Sequence, residues 1–280
     1  MLPVRDTSQT GVSNGMNDPR PVGIFDSGVG GLTVVGQIEK ILPCEDVVYF
    51  GDTARVPYGT KSKETVTRFS VENVEFLMEH DVKLVVVACN TASSLSLEFL
   101  KRCFKVPIVG VIEPGARRAA SSTRNGRIGV IGTRATISSG AYERAVKKAG
   151  SKKELFTRSC PLFVPLVEEG WLDNDVAASI ARIYLAPLKA KKIDTLILGC
   201  THYPLLKSVI KKVMGDGVLL VDSAKEVAKE AKAILDAAGI SRSGSRKGGY
   251  KFFSSDEPAR FIKIGSRFLK RKIKCVKRAG

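Results

Sequence analysis

The 280-residue sequence holds no apolar run that approaches the roughly 18 to 20 residues of a membrane span, which argues against an integral membrane protein. Residues 1–20 lack the apolar core of a secretory signal, so the expected compartment is the cytoplasm. The six cysteines, Cys44, Cys89, Cys103, Cys160, Cys200 and Cys275, are spread too thinly for a dense disulfide framework and form no paired CxxC motif. Reduced thiols are the simpler reading. Histidine is scarce: only His80 and His202 occur, so a metal site would have to draw on Cys89, Cys200 and His202. The glycine-rich turn near the start is neither GxGxxG nor a P-loop, because no Lys-Ser or Lys-Thr follows its glycines. No RNA- or DNA-binding signature is present.

What the chain does have is 44% apolar residues, enough for a sizeable core in one large or two ordinary domains, and a net charge of +17. The charge is uneven. From Ser241 to Gly280, thirteen Lys or Arg face only two acids, Asp256 and Glu257. Such a run reads first as a solvated face, and second as an electrostatic contact to nucleic acid or anionic lipid. At the other end, residues 1–20 are rich in small polar residues, Gly and Pro without periodicity, and read as a flexible extension.

Two stretches organise the rest. Leu84-Val85-Val86-Val87-Ala88 stops abruptly at Cys89-Asn90-Thr91, and Thr195-Leu196-Ile197-Leu198-Gly199 stops at Cys200-Thr201-His202, 111 residues later. Short apolar runs without alternation suit parallel strands covered on both faces, and ligands bind beyond the carboxyl ends of such strands. A second pair of landmarks, the strands around Gly23 and Gly129, is offset by 106 residues, which points to an internal duplication.

Strands are expected at 21–25, 47–50, 83–88, 106–112, 127–133, 218–221 and 251–253. Helices are expected at 32–42, 62–78, 92–100, 140–149, 176–189, 203–214, 223–238 and 259–270. Glu113-Pro114-Gly115 is the candidate crossing between domains, and 160–171 reads as an irregular apolar loop with two adjacent acids, Glu168 and Glu169. The fold class is therefore α/β, as two pseudo-symmetric domains, each a mostly parallel sheet flanked by helices, with the active site in the cleft between them. The expected division is 21–114 plus 225–270, then 115–224, with 271–280 a basic tail.

A lone buried cysteine is most often an inert small hydrophobe. Here each of two thiols ends a strand, precedes a polar turn and a helix, and has an ionisable residue to serve it. A thiol with a pKa of about 8.5 needs help to become a thiolate near neutral pH; His202 can give it to Cys200, and Asp26, at the end of the first strand, to Cys89. Two opposed groups of one type suit inversion of a stereocentre, one removing a proton from one face while the other delivers a proton to the opposite face. Helix starts at the glycine turn, at Asn90-Thr91 and at Thr201 suit carboxylates and the charge that develops on them, which suggests an acidic amino acid. A redox pair is the other use of two thiols, but a disulfide needs Cα atoms within about 7 Å, and a substrate between them prevents that.

The ordered motifs Ile24-Phe25-Asp26-Ser27-Gly28-Val29-Gly30-Gly31, Pro57-Tyr58-Gly59, Ala88-Cys89-Asn90-Thr91-Ala92, Val164-Pro165-Leu166-Val167-Glu168-Glu169-Gly170 and Leu198-Gly199-Cys200-Thr201-His202-Tyr203-Pro204-Leu205 closely resemble those of the glutamate racemases, within the aspartate/glutamate racemase superfamily. The resemblance implies interconversion of L- and D-glutamate without pyridoxal phosphate or metal, in a cytoplasmic homodimer that supplies D-glutamate for peptidoglycan. It implies that Cys89 and Cys200 are the acid/base thiols, the first taking the proton from D-glutamate and the second from L-glutamate. Asp26, His202 and the second acid of the pair, Glu169, would assist them. Asp26, Ser27, Tyr58, Gly59, Asn90, Thr91, Thr201 and His202 would contact substrate, with Thr133 and Thr136 as further candidates. Aspartate racemase is the nearest alternative, and a basic nucleic-acid-binding protein that has lost catalysis is the alternative from another class.

Overall fold

The structure, a computed structural model, describes residues 17–150 and 152–279. Among these residues are ten strands, with helices between them. β1 (Val22–Asp26), β2 (Val47–Gly51), β3 (Leu84–Val87) and β4 (Ile108–Gly110) come first. β5 (Arg127–Gly132), β6 (Glu154–Ser159), β7 (Thr195–Gly199) and β8 (Leu219–Asp222) follow, and β9 (Tyr250–Ser254) and β10 (Lys277–Arg278) close the chain. Every residue of β1, β2, β3 and β7 is buried, which is why these runs are apolar without alternation.

All strand pairings are parallel. One sheet has the order β10-β9-β2-β1-β3-β4 and the other β6-β5-β7-β8. The arrangement 2-1-3-4 thus recurs as 6-5-7-8, so the offsets of 106 and 111 residues reflect a repeated strand order. In such an order the connections leave the first strand on opposite sides, and a crevice opens beyond the carboxyl ends of the strands that flank the reversal. Those ends carry Asp26 and Cys89 in one sheet, and Thr133 and Cys200 in the other. Helix Ser223–Ala237 lies against both Leu32–Ile41 and Ile112–Ser122, joining the two halves.

Several segments differ from expectation. Residues 160–171 are not an irregular loop: they contain helix Phe163–Glu169, ended by Gly170 in the left-handed region at φ 83°. Pro165 falls in its first turn, where the missing N–H has no intrahelical partner to lose. Glu113-Pro114-Gly115, the expected crossing between domains, lies in the first turn of helix Ile112–Ser122, a helix the sequence did not announce. β6 escaped notice because it is an edge strand with no fully buried residue, so Glu154-Leu155-Phe156-Thr157-Arg158-Ser159 shows neither an apolar run nor clean alternation. The short helix Arg134–Ser138 was also unexpected.

The described residues near both ends are tied down more firmly than their composition suggests. Residues 1–16 of the expected extension lie outside the described residues, but Asp18 is ion-paired to Arg20, and its carbonyl accepts a hydrogen bond from Lys83 Nζ at 2.8 Å. Lys83 is fully buried, 2.7 Å from the equally buried Glu45. The expected basic tail at 271–280 is part of the first sheet through β10, with Ile273 1% and Val276 9% exposed. Its lysines 272, 274 and 277 stay in solvent while the apolar residues between them anchor the segment. No helix among the described residues is long and apolar enough to cross a membrane.

Candidate active site

β1 delivers Asp26, fully buried, to the edge of its sheet. The glycine turn folds back over the carboxylate: Gly28 N–H donates to Oδ2 at 3.1 Å, while the buried Oδ1 has no hydrogen-bond partner among the described residues. Burial raises the pKa of Asp26 above the ordinary carboxylate value, against the opposing pull of His202 and of the N–H groups of Gly31, Gly28 and Ser27.

Just beyond β3, Cys89 sits at the N-terminal end of helix Asn90–Cys103. Its Sγ is 3.6 Å from Ser27 Oγ. Burial, then the nearby Asp26 charge, pushes this thiol up to about 12, so Cys89 rests protonated. Cys200 also bears on it electrostatically, as the last of these influences. Asn90 and Thr91 are buried in the first helical turn. Asn90 Nδ2 donates to Tyr142 Oη at 2.9 Å, and Thr91 Oγ1 lies 3.0 Å from Thr133 Oγ1 and 3.2 Å from Thr136 Oγ1. Thr133 in turn caps helix Arg134–Ser138 by accepting from Thr136 N–H at 3.2 Å. These bonds span the two sheets.

On the other side, Cys200 Sγ stands 4.0 Å from His202 Nδ1, and His202 Nε2 stands 3.1 Å from Glu168 Oε1. Burial disfavours the imidazolium, but hydrogen bonds and charge from Cys200 and Glu168 outweigh it and raise His202 to about 10. Glu168 shows the complement: burial opposes its ionisation, yet His202 and then Arg260 hold its pKa below the ordinary value. The two thiols therefore have unlike neighbours, a carboxyl group beside Cys89 and an imidazolium beside Cys200.

The halves meet at glycines because nothing larger fits. A Cβ on Gly30 would lie 2.3 Å from Thr201 Oγ1 and 2.6 Å from His202 Nδ1, and one on Gly59 would lie 2.7 Å from Thr133 Cβ. Asp26, Ser27, Gly59, Asn90, Thr91, Thr133, Thr136, Thr201 and His202 thus gather around the thiols. Two candidates do not gather as expected. The carboxylate that reaches His202 is Glu168, not Glu169: without recognising the helix that carries both, the sequence reading had no phase by which to choose. Tyr58 turns its hydroxyl to Asp52 and Asn73, so only its backbone is available to a ligand. Among the described residues, no three His, Cys, Asp or Glu side chains stand together as a metal-ligand set.

Sequence reasoning missed the groups supplied by distant elements. Helix Pro258–Leu269 sets Phe268 edge-on to His202 at 5.1 Å, brings Arg260 to 3.6 Å from Glu168 Oε2, and has Arg267 donate to the carbonyls of Val167 and Glu168. No local motif announces such contacts. The basic charge of that helix was visible, but not which carboxylate it serves.

The family model for Asp/Glu/Hydantoin racemase matches residues 31–231. A curated glutamate racemase of Geobacter metallireducens is 59% identical over 250 residues, 89% of this chain and 93% of that protein. The crystal structure of glutamate racemase isoform RacE1 from Bacillus anthracis superposes with a TM-score of 0.91 at 41% identity, covering 94% of this chain and 98% of that one. The glutamate racemase of Francisella tularensis, solved in complex with D-glutamate, gives 0.87 at 35% identity with the same coverage. The fold, the ordered motifs and these likenesses agree on an amino-acid racemase, an isomerase. The chain belongs to the glutamate racemases of the Asp/Glu/Hydantoin racemase family.

Proposed function

We propose that this chain interconverts L- and D-glutamate by moving a proton at Cα between two thiols, without metal or cofactor. The observation that carries the proposal is the pairing of unlike neighbours with like thiols: the buried Asp26 beside Cys89, and the His202–Glu168 pair beside Cys200. In the direction from L-glutamate, Cys200 acts as thiolate with the His202 imidazolium as its counter-cation and removes the α-proton. The electron pair left at Cα delocalises into the α-carboxylate, and Cys89, a thiol at rest, delivers its proton to the opposite face. The enzyme is left with the Cys89 thiolate and the Cys200 thiol, the state that accepts D-glutamate. From that enantiomer Cys89, assisted by Asp26, removes the proton and Cys200 returns one.

Backbone N–H groups at the start of helix Asn90–Cys103, with the hydroxyls of Ser27, Thr91 and Thr201, suit the carboxylates, where negative charge grows in the transition state. The unpartnered Oδ1 of Asp26 suits the ammonium group. Backbone at Tyr58 and Gly59, against Thr133 and Thr136, closes the site. Glutamate rather than aspartate is favoured by the high identity to relatives bearing that name. A cytoplasmic homodimer that supplies D-glutamate for peptidoglycan rests on family membership alone.

The test is loss of optical rotation from L-glutamate and, separately, from L-aspartate in D₂O with metal-free protein, beside Cys89→Ala and Cys200→Ala. Racemisation of glutamate with deuterium entering Cα, abolished in both variants, is the expected result. Reaction of aspartate alone would overturn the substrate, and racemisation surviving in either variant would overturn the two-thiol scheme.

A further inference from the structure

A buried tyrosine outside the acid/base set touches both cysteine turns. Tyr142, 1% exposed, lies in helix Ala141–Ala149 against the four-stranded sheet. Its ring occupies the space that a side chain at Gly199 would need, since a Cβ there would stand 3.1 Å from Tyr142 Cε2; Gly199 immediately precedes Cys200. Its hydroxyl accepts from the Nδ2 of Asn90, the residue after Cys89, at 2.9 Å, and stands 3.4 Å from Ser223 Oγ. Accepting from Asn90 leaves the phenolic proton for Ser223. Burial pushes the phenol up to about 12, so it remains a neutral hydroxyl through neutral pH.

A side-chain amide offers donors on one side and an acceptor on the other, and rotation by half a turn exchanges them. Glutamate needs donors for two carboxylates and acceptors for one ammonium. Donors are plentiful at the helix starts, whereas the ammonium, with three N–H groups, needs acceptors beyond the unpartnered Asp26 Oδ1. Asn90 lines one small cavity together with Cys200, Thr201 and Ser223, so the way its amide faces matters to whatever enters there.

We infer that Tyr142 is a positioning residue: by engaging the Asn90 nitrogen it keeps the Asn90 oxygen as an acceptor for the substrate ammonium, and it ties that orientation to the turn carrying Cys200. The inference rests on the glutamate reading above. Without the hydroxyl the amide can turn its own N–H groups toward the ammonium, and binding of the amine weakens while binding of the carboxylates does not.

The experiment is steady-state racemisation of L- and D-glutamate by the wild type, Tyr142→Phe, Asn90→Ala and the double variant, with competitive inhibition by glutarate, a dicarboxylate of the same length without the amine. Expected for Tyr142→Phe is a KM raised about tenfold for both enantiomers, as for a lost buried hydrogen bond, with kcat changed far less and glutarate inhibition unmoved. The double variant should be no worse than Asn90→Ala alone, because the tyrosine acts through the amide. An unchanged KM, a parallel loss of glutarate binding, or additive effects in the double variant would overturn the inference. So would a Tyr142→Phe protein that fails to fold, since the hydroxyl would then be holding the fold rather than the amide. A wild type inert toward glutamate would instead overturn the function on which the inference rests.

Discussion

Replacing Glu168 by Gln tests what keeps the proton on His202. Burial alone would strip it; the hydrogen bond to Cys200 and that to Glu168 Oε1, 3.1 Å from Nε2, reverse the effect and bring the group to about 10. A rise of about 3.5 units over an ordinary histidine is worth about 5 kcal/mol of preference for the cation, at 1.36 kcal/mol per unit. Gln keeps the shape and an acceptor but not the charge. With two partners sharing the effect, its loss should lower the midpoint by about 2 units, to about pH 8, or by about 3 kcal/mol. A pKa raised by folding adds stability that is whole below the unfolded value near 6.5 and vanishes as pH rises through the folded one. Chemical denaturation should therefore find Glu168→Gln weaker than the wild type by about 3 kcal/mol at pH 7, with no difference from this source above about pH 11.

NMR of the His202 ring against pH reads the midpoint directly, and kcat/KM for glutamate should begin to fall above about pH 8 in the variant, about two units earlier than in the wild type. Because enantiomers are equal in free energy, kcat/KM must fall equally in both directions. The isotope effect from α-deuterated substrate need not, and it should grow more for L-glutamate, the enantiomer that Cys200 deprotonates. An unmoved midpoint, or the same change from Glu169→Gln, would refute the assignment.

Gly30→Ala, whose Cβ would stand 2.3 Å from Thr201 Oγ1, should lower racemisation by about 10²-fold through displacement of the second thiol turn, while circular dichroism stays that of the wild type. Removing residues 271–280 takes away the buried Ile273 and Val276 and should cost about 3–5 kcal/mol of stability in urea; a free tail would cost nothing. Lys83→Met strands the buried carboxylate of Glu45 at the amino end of the first sheet and should destabilise by about 3–5 kcal/mol, with the kcat of the surviving folded protein intact. Tyr58→Phe leaves Asp52 and Asn73 without their shared hydroxyl and should lower the thermal midpoint in keeping with about 1–3 kcal/mol.

The parallel strands were legible because full burial leaves a run of Val, Ile and Leu that only a sandwiched strand tolerates, and the polar stop after each run marked Asp26, Cys89 and Cys200. The duplication was legible only as two offsets, since the shared feature is strand order rather than residue identity. β6 was not legible, because a half-exposed edge has no pattern to impose. The choice between Glu168 and Glu169 failed for a related reason: adjacent residues on a helix differ by 100° in direction, and that difference is invisible until the helix is recognised. Contacts such as Phe268 on His202 and Tyr142 on Asn90 join residues 66 and 52 positions apart, and no local signal specifies them.

The two sheets are made in different ways during synthesis. The four-stranded sheet comes from one uninterrupted stretch, from Arg127 to Asp222, and can close as soon as that stretch has left the ribosome. The other begins with Val22 but gains β9 and β10 only after Tyr250 to Arg278 have emerged, far behind its first four strands. Until then β2 is an unpaired edge reading Val-Val-Tyr-Phe-Gly, the kind of strand on which chains join one another. At 5–20 residues per second the missing segment takes about 2–6 s to appear. A chain cut short before that segment would carry every residue of the proposed acid/base set and an open adhesive edge, so truncation before Tyr250 should show itself first as aggregation rather than as a damaged site.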